Sequence, residues 1–141
     1  MWKARAEETA GAFLLFEDVM DGGKSTPLHT HPDSDESMYI LEGEILMHMN
    51  DRDYRVSAGG LAVAPRGIPH AFMVLSPVVR MLCLHTPGVC EGFYWDASDP
   101  IAADVRSGTV DFERVRDSAA RNGGIGILGP PPFGRGEFAQ E

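Results

Sequence analysis

Two cysteines in 141 residues, Cys83 and Cys90, are too few for a disulfide framework. Cys83 lies inside the apolar run from Val78 to His85, so buried, reduced thiols are the expected state. Positive charge is scarce as well: 12 Lys and Arg stand against 21 Asp and Glu, for a formal net charge of −9. With a pI near 4.9 and no Lys/Arg cluster, the chain repels polyphosphate, which argues against nucleic acid as a partner. No apolar stretch approaches the ~20 residues of a membrane-spanning helix, so no membrane partner is expected. The first residues, Met1-Trp2-Lys3-Ala4-Arg5-Ala6-Glu7-Glu8, put acids where a secretory leader would have its apolar segment, and the expected location is cytoplasmic. No segment repeats another. The length suits one domain that buries roughly two thirds of its unfolded surface.

The chain does contain many short apolar runs separated by Gly, Pro, Asn and Asp. Thr9 to Glu17 reads as a first strand ending before the Asp21-Gly22-Gly23 turn. Further strands are expected through His29, over Ser37 to Leu41, Ile45 to Met49, Tyr54 to Val56, Leu61 to Ala64, Ala71 to Leu75 and Val78 to His85. Strands this short and this closely spaced indicate an all-β sandwich or closed barrel. Beyond Thr86-Pro87-Gly88 the pattern changes. Ser98-Asp99-Pro100 opens a short helix ending at Gly108, and Thr109 caps a second one in which Phe112, Val115 and Ala119 share a face. These signals predict a barrel over residues 1–98, a helical extension over 99–122 packed on it, and a Gly/Pro-rich tail over 123–141 with no regular structure of its own.

Chemistry concentrates between Gly23 and Gly43. In an extended chain alternate side chains share a face, so His29 and His31 offer two imidazoles to one point, which is a metal-ligand spacing. Glu36 follows on the same apolar strand as Met38 and Ile40, where a buried carboxylate needs a partner. A second segment runs from Gly59-Gly60 through Pro65-Arg66-Gly67 to His70, which opens the next apolar run. Together the two segments resemble the paired signatures of the cupin superfamily. Gly23, His29, His31, Glu36 and Gly43 match G-x5-H-x-H-x(3 or 4)-E-x6-G in full. Gly59, Pro65, Gly67 and His70 match the second pattern, whose final Asn is replaced by Val74. Gly22, Gly23, Gly59 and Gly60 are hairpin residues rather than a phosphate-binding loop, since no helix follows them.

The resemblance implies a double-stranded β-helix, or jelly-roll barrel, of the small single-domain, quercetin 2,3-dioxygenase-like type. It also implies that His29, His31, Glu36 and His70 hold one divalent transition metal. Fe, Mn, Ni, Co, Cu and Zn all suit such a ligand set, and ligand identity alone does not choose among them. An octahedral ion would keep two positions open for substrate or dioxygen. Val74 falls on the ligand-bearing face with His70 and Phe72, so an apolar group stands where the family pattern has a polar amide. Candidate pocket residues are Met47, Phe72, Val74, His85, Phe93 and Trp95, with packing as their competing role. His48 sits in an apolar strand and is assigned to packing. His85 ends its strand near the barrel mouth, and Arg66 is placed to pair with a carboxylate of the protein or of a ligand.

Three functions fit this reading. The first is a metal-dependent dioxygenase acting on a small aromatic or enolic molecule, in which Glu36 is catalytic and accepts the substrate's proton. The second is a metal-dependent isomerase, lyase or decarboxylase that uses the ion as a Lewis acid. The third is a non-catalytic small-molecule-binding module. The resemblance further implies a homodimer paired through barrel edges.

Overall fold

The chain alternates between two sheets almost from its start, and that alternation is what brings distant segments to one site. In the structure, a computed structural model describing residues 1–98 and 110–134, the strands are β1 (Trp2–Ala4), β2 (Leu14–Asp21), β3 (Leu28–Thr30), β4 (Asp35–Glu42), β5 (Glu44–Met49), β6 (Arg52–Ser57), β7 (Leu61–Ala64), β8 (His70–Val74) and β9 (Val78–Thr86). Helices α1 (Glu91–Ala97) and α2 (Phe112–Asn122) and a last strand, β10 (Gly126–Gly129), follow. One sheet is ordered β1-β2-β9-β4-β7 and the other β10-β3-β8-β5-β6, with antiparallel pairing throughout. This is the jelly-roll barrel that the paired motifs imply.

Register assigns the interior. Leu14 pairs with His85 and His85 with Glu36; Phe16 pairs with Cys83 and Cys83 with Met38; Met81 pairs with Ile40. Because side chains alternate across a strand, these rows face inward and meet Ile45, Met47, Phe72 and Val74 of the opposite sheet in one core. Burying such a side chain stabilises the fold by about 1.5–3 kcal/mol each. Gly43 shows why the motif needs glycine between β4 and β5. Its φ is 86°, and a Cβ there would lie 2.3 Å from the Val78 carbonyl oxygen.

Three local expectations are corrected. The first strand begins at Leu14 rather than Thr9, because Ala6–Thr9 forms a 3-10 turn. The Thr9 hydroxyl donates to the Phe13 carbonyl oxygen at 2.6 Å and accepts from the Phe13 amide at 3.1 Å, while Ala10 and Gly11 take positive φ. Phe93, Tyr94 and Trp95 lie on α1, a helix whose seven residues are too few to show a period. It is held from outside: Ser118 Oγ donates to the Phe93 carbonyl at 2.9 Å and Arg114 Nε to that of Asp96 at 2.7 Å. Finally, the Gly/Pro-rich tail supplies β10, which pairs with β3 and covers an edge that would otherwise stand open.

The helix expected over 99–108, and Thr109 with it, lies outside the described residues. The cap of α2 is Asp111, whose carboxylate accepts the Arg114 amide at 3.0 Å. Among the described residues no helix is long and apolar enough to cross a membrane.

Glu17 sits on the outer side of β2, where Lys3 of β1 and Arg80 of β9 close over it. The hydrogen bond from Arg80, then that from Lys3, pulls its carboxyl down from 4.5 to about 2 against a burial effect that raises it. A carboxyl depressed in the folded state stabilises above its unfolded value and loses that contribution as pH falls through its folded value. Lys3 and Arg80 are 38% and 49% exposed, so solvent screening reduces the contribution to about 1–2 kcal/mol. Glu17→Gln should therefore lower the melting temperature at pH 7 by about 3–8 °C and flatten the acid limb between pH 4.5 and 2, as read by circular dichroism. An unchanged acid limb would remove Glu17 from this role.

Candidate metal centre

Four polar side chains reach one point in the barrel from three strands and a loop. β3 carries His29, and His31 follows directly after it; His70 opens β8 and lies opposite His29 in the ladder. Glu36 comes from β4, in the other sheet. All four are at most 5% exposed, and one ligand atom from each lies within 4.8 Å of the others. The His29 and His70 rings are 4.4 Å apart, His29 and His31 5.1 Å, and His31 and His70 5.6 Å, all tilted or edge-on so that no two rings stack flat.

Hydrogen bonds on the far side of each ring decide which nitrogen faces inward. The Nδ1 of His29 donates to the Pro27 carbonyl at 2.7 Å, that of His31 to Gly124 at 3.0 Å, and that of His70 to Ile68 at 2.9 Å. A carbonyl oxygen only accepts, so each Nδ1 carries the hydrogen and each neutral ring keeps its lone pair on Nε2. Metal-ligating histidines are oriented in this way. His31 Nε2 is buried without a hydrogen bond, while Glu36 Oε2 lies 3.2 Å from it and 2.8 Å from His70 Nε2. The residues therefore fit a divalent metal: His29, His31, His70 and Glu36 would hold it.

The electrostatics agree. Burial pushes the Glu36 carboxyl up, but the charge of His85, the hydrogen bond with His70 and the close approach of the His31 and His85 rings outweigh it and hold it well below its usual range. Burial lowers His70, yet its bond and charge interaction with Glu36 leave it raised. His29, lacking such a bond, is driven down to about 3 by burial and by His70. The cluster thus presents a carboxylate beside an imidazole that stays neutral, with a shared proton at Glu36 and His70 where a cation would fit.

Glu36 is divided between two tasks. Oε2 faces the ligand histidines, whereas Oε1 lies 3.4 Å from the Tyr94 hydroxyl and 3.4 Å from His85 Nε2. His85 is fully buried, neither of its ring nitrogens has a hydrogen bond, and its ring lies 4.7 Å from that of His31. Sequence reasoning named Phe93 and Trp95 and passed over Tyr94 between them, since nothing local shows that α1 turns Tyr94 inward while Trp95 faces out. Cys90 lies beside His31 and His85, but burial raises its thiol to about 12, and burial likewise holds that of Cys83 well above the usual thiol range. Both thiols are free and protonated.

A cavity of about 330 Å³ opens beside the cluster, walled by Phe16, Phe72, Met81, Phe93 and Tyr94, with His29 and Glu36 at its polar end. Of the expected pocket residues, Phe72 and Phe93 line this cavity. Met47 and Val74 pack in the core, and His85 sits behind Glu36. Trp95 is 55% exposed, stacked on Trp2 outside the cavity, because consecutive helical residues point some 100° apart. Arg66 pairs with Asp35 at 3.0 Å and fixes the turn before His70 to the start of β4. His48 bonds Asp53 at 2.7 Å, away from the cluster.

The carbonyl that orients His31 belongs to the tail. Deleting residues 123–141 should lower metal affinity about 10–100-fold, measured by competition with a chromophoric chelator. Undiminished affinity would show that the Gly124 bond is dispensable.

Comparison with known proteins places the chain. A cupin domain pattern matches residues 15–85. The quercetin 2,3-dioxygenase of Bacillus subtilis (strain 168) is 30% identical over 113 residues, covering 75% of this chain and 34% of that enzyme. The HTH-type transcriptional regulator PuuR of Escherichia coli (strain K12) is 33% identical over 75 residues, covering 52% of this chain and 40% of the regulator. The chain thus spans about a third of the length of the first and two fifths of the second. KdgF from Halomonas sp. superposes with a TM-score of 0.57 at 22% identity, over 62% of this chain and 76% of that one, a likeness of fold alone. The barrel, the buried cluster and the matched segment agree, and this chain belongs to the cupin family.

Proposed function

We propose that this cupin is a metal-dependent dioxygenase acting on a small aromatic or enolic molecule. The observation that carries this reading is the meeting of three imidazole lone pairs and the Glu36 carboxylate at the wall of a cavity lined by aromatic side chains. A divalent ion held there supplies charge stabilisation for a substrate oxyanion and, if it is a redox metal, access to dioxygen. The partial likeness to a quercetin 2,3-dioxygenase supports this choice over other cupin chemistries.

The protein's own groups perform recognisable parts of such a reaction. Glu36 is placed to take the proton of an enol or phenol entering the cavity, as the one carboxylate of the cluster. The Tyr94 hydroxyl donates to Oε1, and the His85 ring packs 3.4 Å behind it, so the carboxylate is kept from swinging away. Tyr94 stays protonated because burial, then the charge of Glu36, raises its hydroxyl well above its usual range. Phe16, Phe72 and Phe93 keep the reacting end dry, which strengthens every electrostatic contact inside.

Two alternatives have specific support. Lewis-acid chemistry on an enolisable acid, by an isomerase, lyase or decarboxylase, would use the same four ligands and the same Glu36. A stand-alone binding module is supported by the 75-residue likeness to a transcriptional regulator. In assembly the partner we propose is a second copy. The outer face of β4 and β7 exposes Tyr39, Leu61 and Val63, with Tyr39 directly opposite Leu61 in the ladder. We propose a cytoplasmic location, in keeping with two free, buried cysteines.

Protein reconstituted anaerobically with Fe(II), Mn(II), Co(II) or Ni(II) should bind about one ion per chain and consume oxygen in step with an enol, catechol or flavonol. His29→Ala and His70→Ala should lose the metal, and activity should fall at least about 1,000-fold. Turnover under strict anaerobiosis would transfer the assignment to Lewis-acid chemistry, and binding without turnover would leave a binding module. Light scattering should give a dimeric mass for the parent and a monomeric one for Leu61→Glu; a monomeric parent at micromolar concentration would end the dimer proposal.

A further inference from the structure

The wall of the cavity carries a second acid besides Glu36 on the barrel's own strands, Asp18 of β2. Inward positions of β2 run Leu14, Phe16, Asp18, Met20, the first two of them buried. Asp18 lies opposite Met81, which is fully buried, and belongs to the cavity wall together with Phe16, Phe72 and Met81. An acid there interrupts an otherwise apolar stripe. Among the described residues no side chain forms an ion pair or hydrogen bond with Asp18; burial is the largest influence on its carboxyl and raises it, against the charges of the amino terminus and Lys24 and a bond from the Val19 amide. Its charge is felt at Tyr94 and Cys83, and that of Glu36 is felt at Asp18, so these groups share one interior.

The register sets the distance between the two acids. Glu36 is in the row of His85 and Leu14, and Asp18 is four residues along β2 from Leu14. The two rows are therefore about 13 Å apart along the strand, less the reach of the two side chains. Between them the wall is Phe16, Phe72, Met81 and Cys83. Lys24 and Arg114 also border the cavity, and each already has partners of its own. Among the described residues no side chain ion-pairs with Asp18, and an acid facing an aromatic-walled space is further satisfied by a cation, which gains both charge pairing and contact with the ring faces.

We infer that the cavity takes an amphipathic amine, a molecule whose oxygen-bearing head reaches the cluster of His29, His31, Glu36 and His70 while its protonated amino group ends on Asp18. Asp18 is then the residue that selects among ligands, and Glu36 and the histidines are the residues that bind the common head. The head half of this inference rests on the metal-site reading of the proposed function; the amine half does not.

Benzohydroxamic acid and 4-(aminomethyl)benzohydroxamic acid separate the two halves, since they share a metal-chelating head and differ by one ammonium. Calorimetry on the Mn(II)-loaded parent should show the aminomethyl compound bound at least about tenfold more tightly, and Asp18→Asn should reduce that preference to about twofold or less. Melting temperature and manganese content of the variant report its fold, and Asp18→Ser gives the same comparison if the Asn variant does not fold. Equal affinities in the parent, or a preference that survives the substitution, overturn the assignment of Asp18. If Mn(II) improves binding of neither compound, it is the metal reading that fails. Benzylamine against benzyl alcohol on the metal-free parent and the variant then decides the Asp18 anchor alone, by the same loss of preference.

Discussion

A carboxylate at 4% exposure can stay ionised only if its surroundings supply positive charge or donors, and at Glu36 the imidazoles of His85, His31 and His70 do so. The barrel is arranged around that requirement. Backbone carbonyls of Pro27, Ile68 and Gly124 turn three of the rings so that their Nε2 atoms face the cluster. The cluster is thus under-supplied with protons and suited to a cation. Oriented donors and a buried charge, once brought together, specify a metal site more narrowly than the residue types do.

The same arrangement explains why both sheets are needed. Glu36 comes from one sheet and the histidines from the other side of the barrel, so the site exists only when the two are packed face to face. Apolar rows below the cluster, from Phe16 and Cys83 to Met81, hold the sheets at that separation and also wall the cavity. Packing and function therefore draw on the same side chains. α1 adds the remaining wall by inserting Phe93 and Tyr94, and α2 holds α1 in place through Ser118 and Arg114. Residues far from the cluster in sequence thereby govern the water content and the reach of Glu36.

Much of this was legible in the chain itself. Period two in β4 and β9 and the spacing of His29 and His31 reflect local geometry, which neighbouring residues encode directly. Gly43 was legible for a related reason, since only glycine tolerates both its positive φ and its approach to Val78. β10 was not legible. Gly126-Ile127-Leu128-Gly129 has little strand character, and it becomes a strand because β3 offers it an open edge. The roles of Tyr94, His85 and Asp18 were hidden in the same way, each being an ordinary residue on its own element until the fold sets what it faces.

By itself, then, the sequence determined an all-β barrel or sandwich, its turns and the shared face of His29 and His31, because each follows from spacing along a single extended segment or a short turn, while the resemblance to the paired cupin signatures implied the jelly roll and the full set of four ligands. Only the tertiary structure decided which histidine nitrogens face inward, that the tail orients His31, that Trp95 lies outside while Tyr94 reaches Glu36, and that Asp18 lines the same cavity as Glu36. These are contacts between segments dozens of residues apart, where hydrogen-bond direction and burial are set by packing of one sheet on another and leave no local pattern to read.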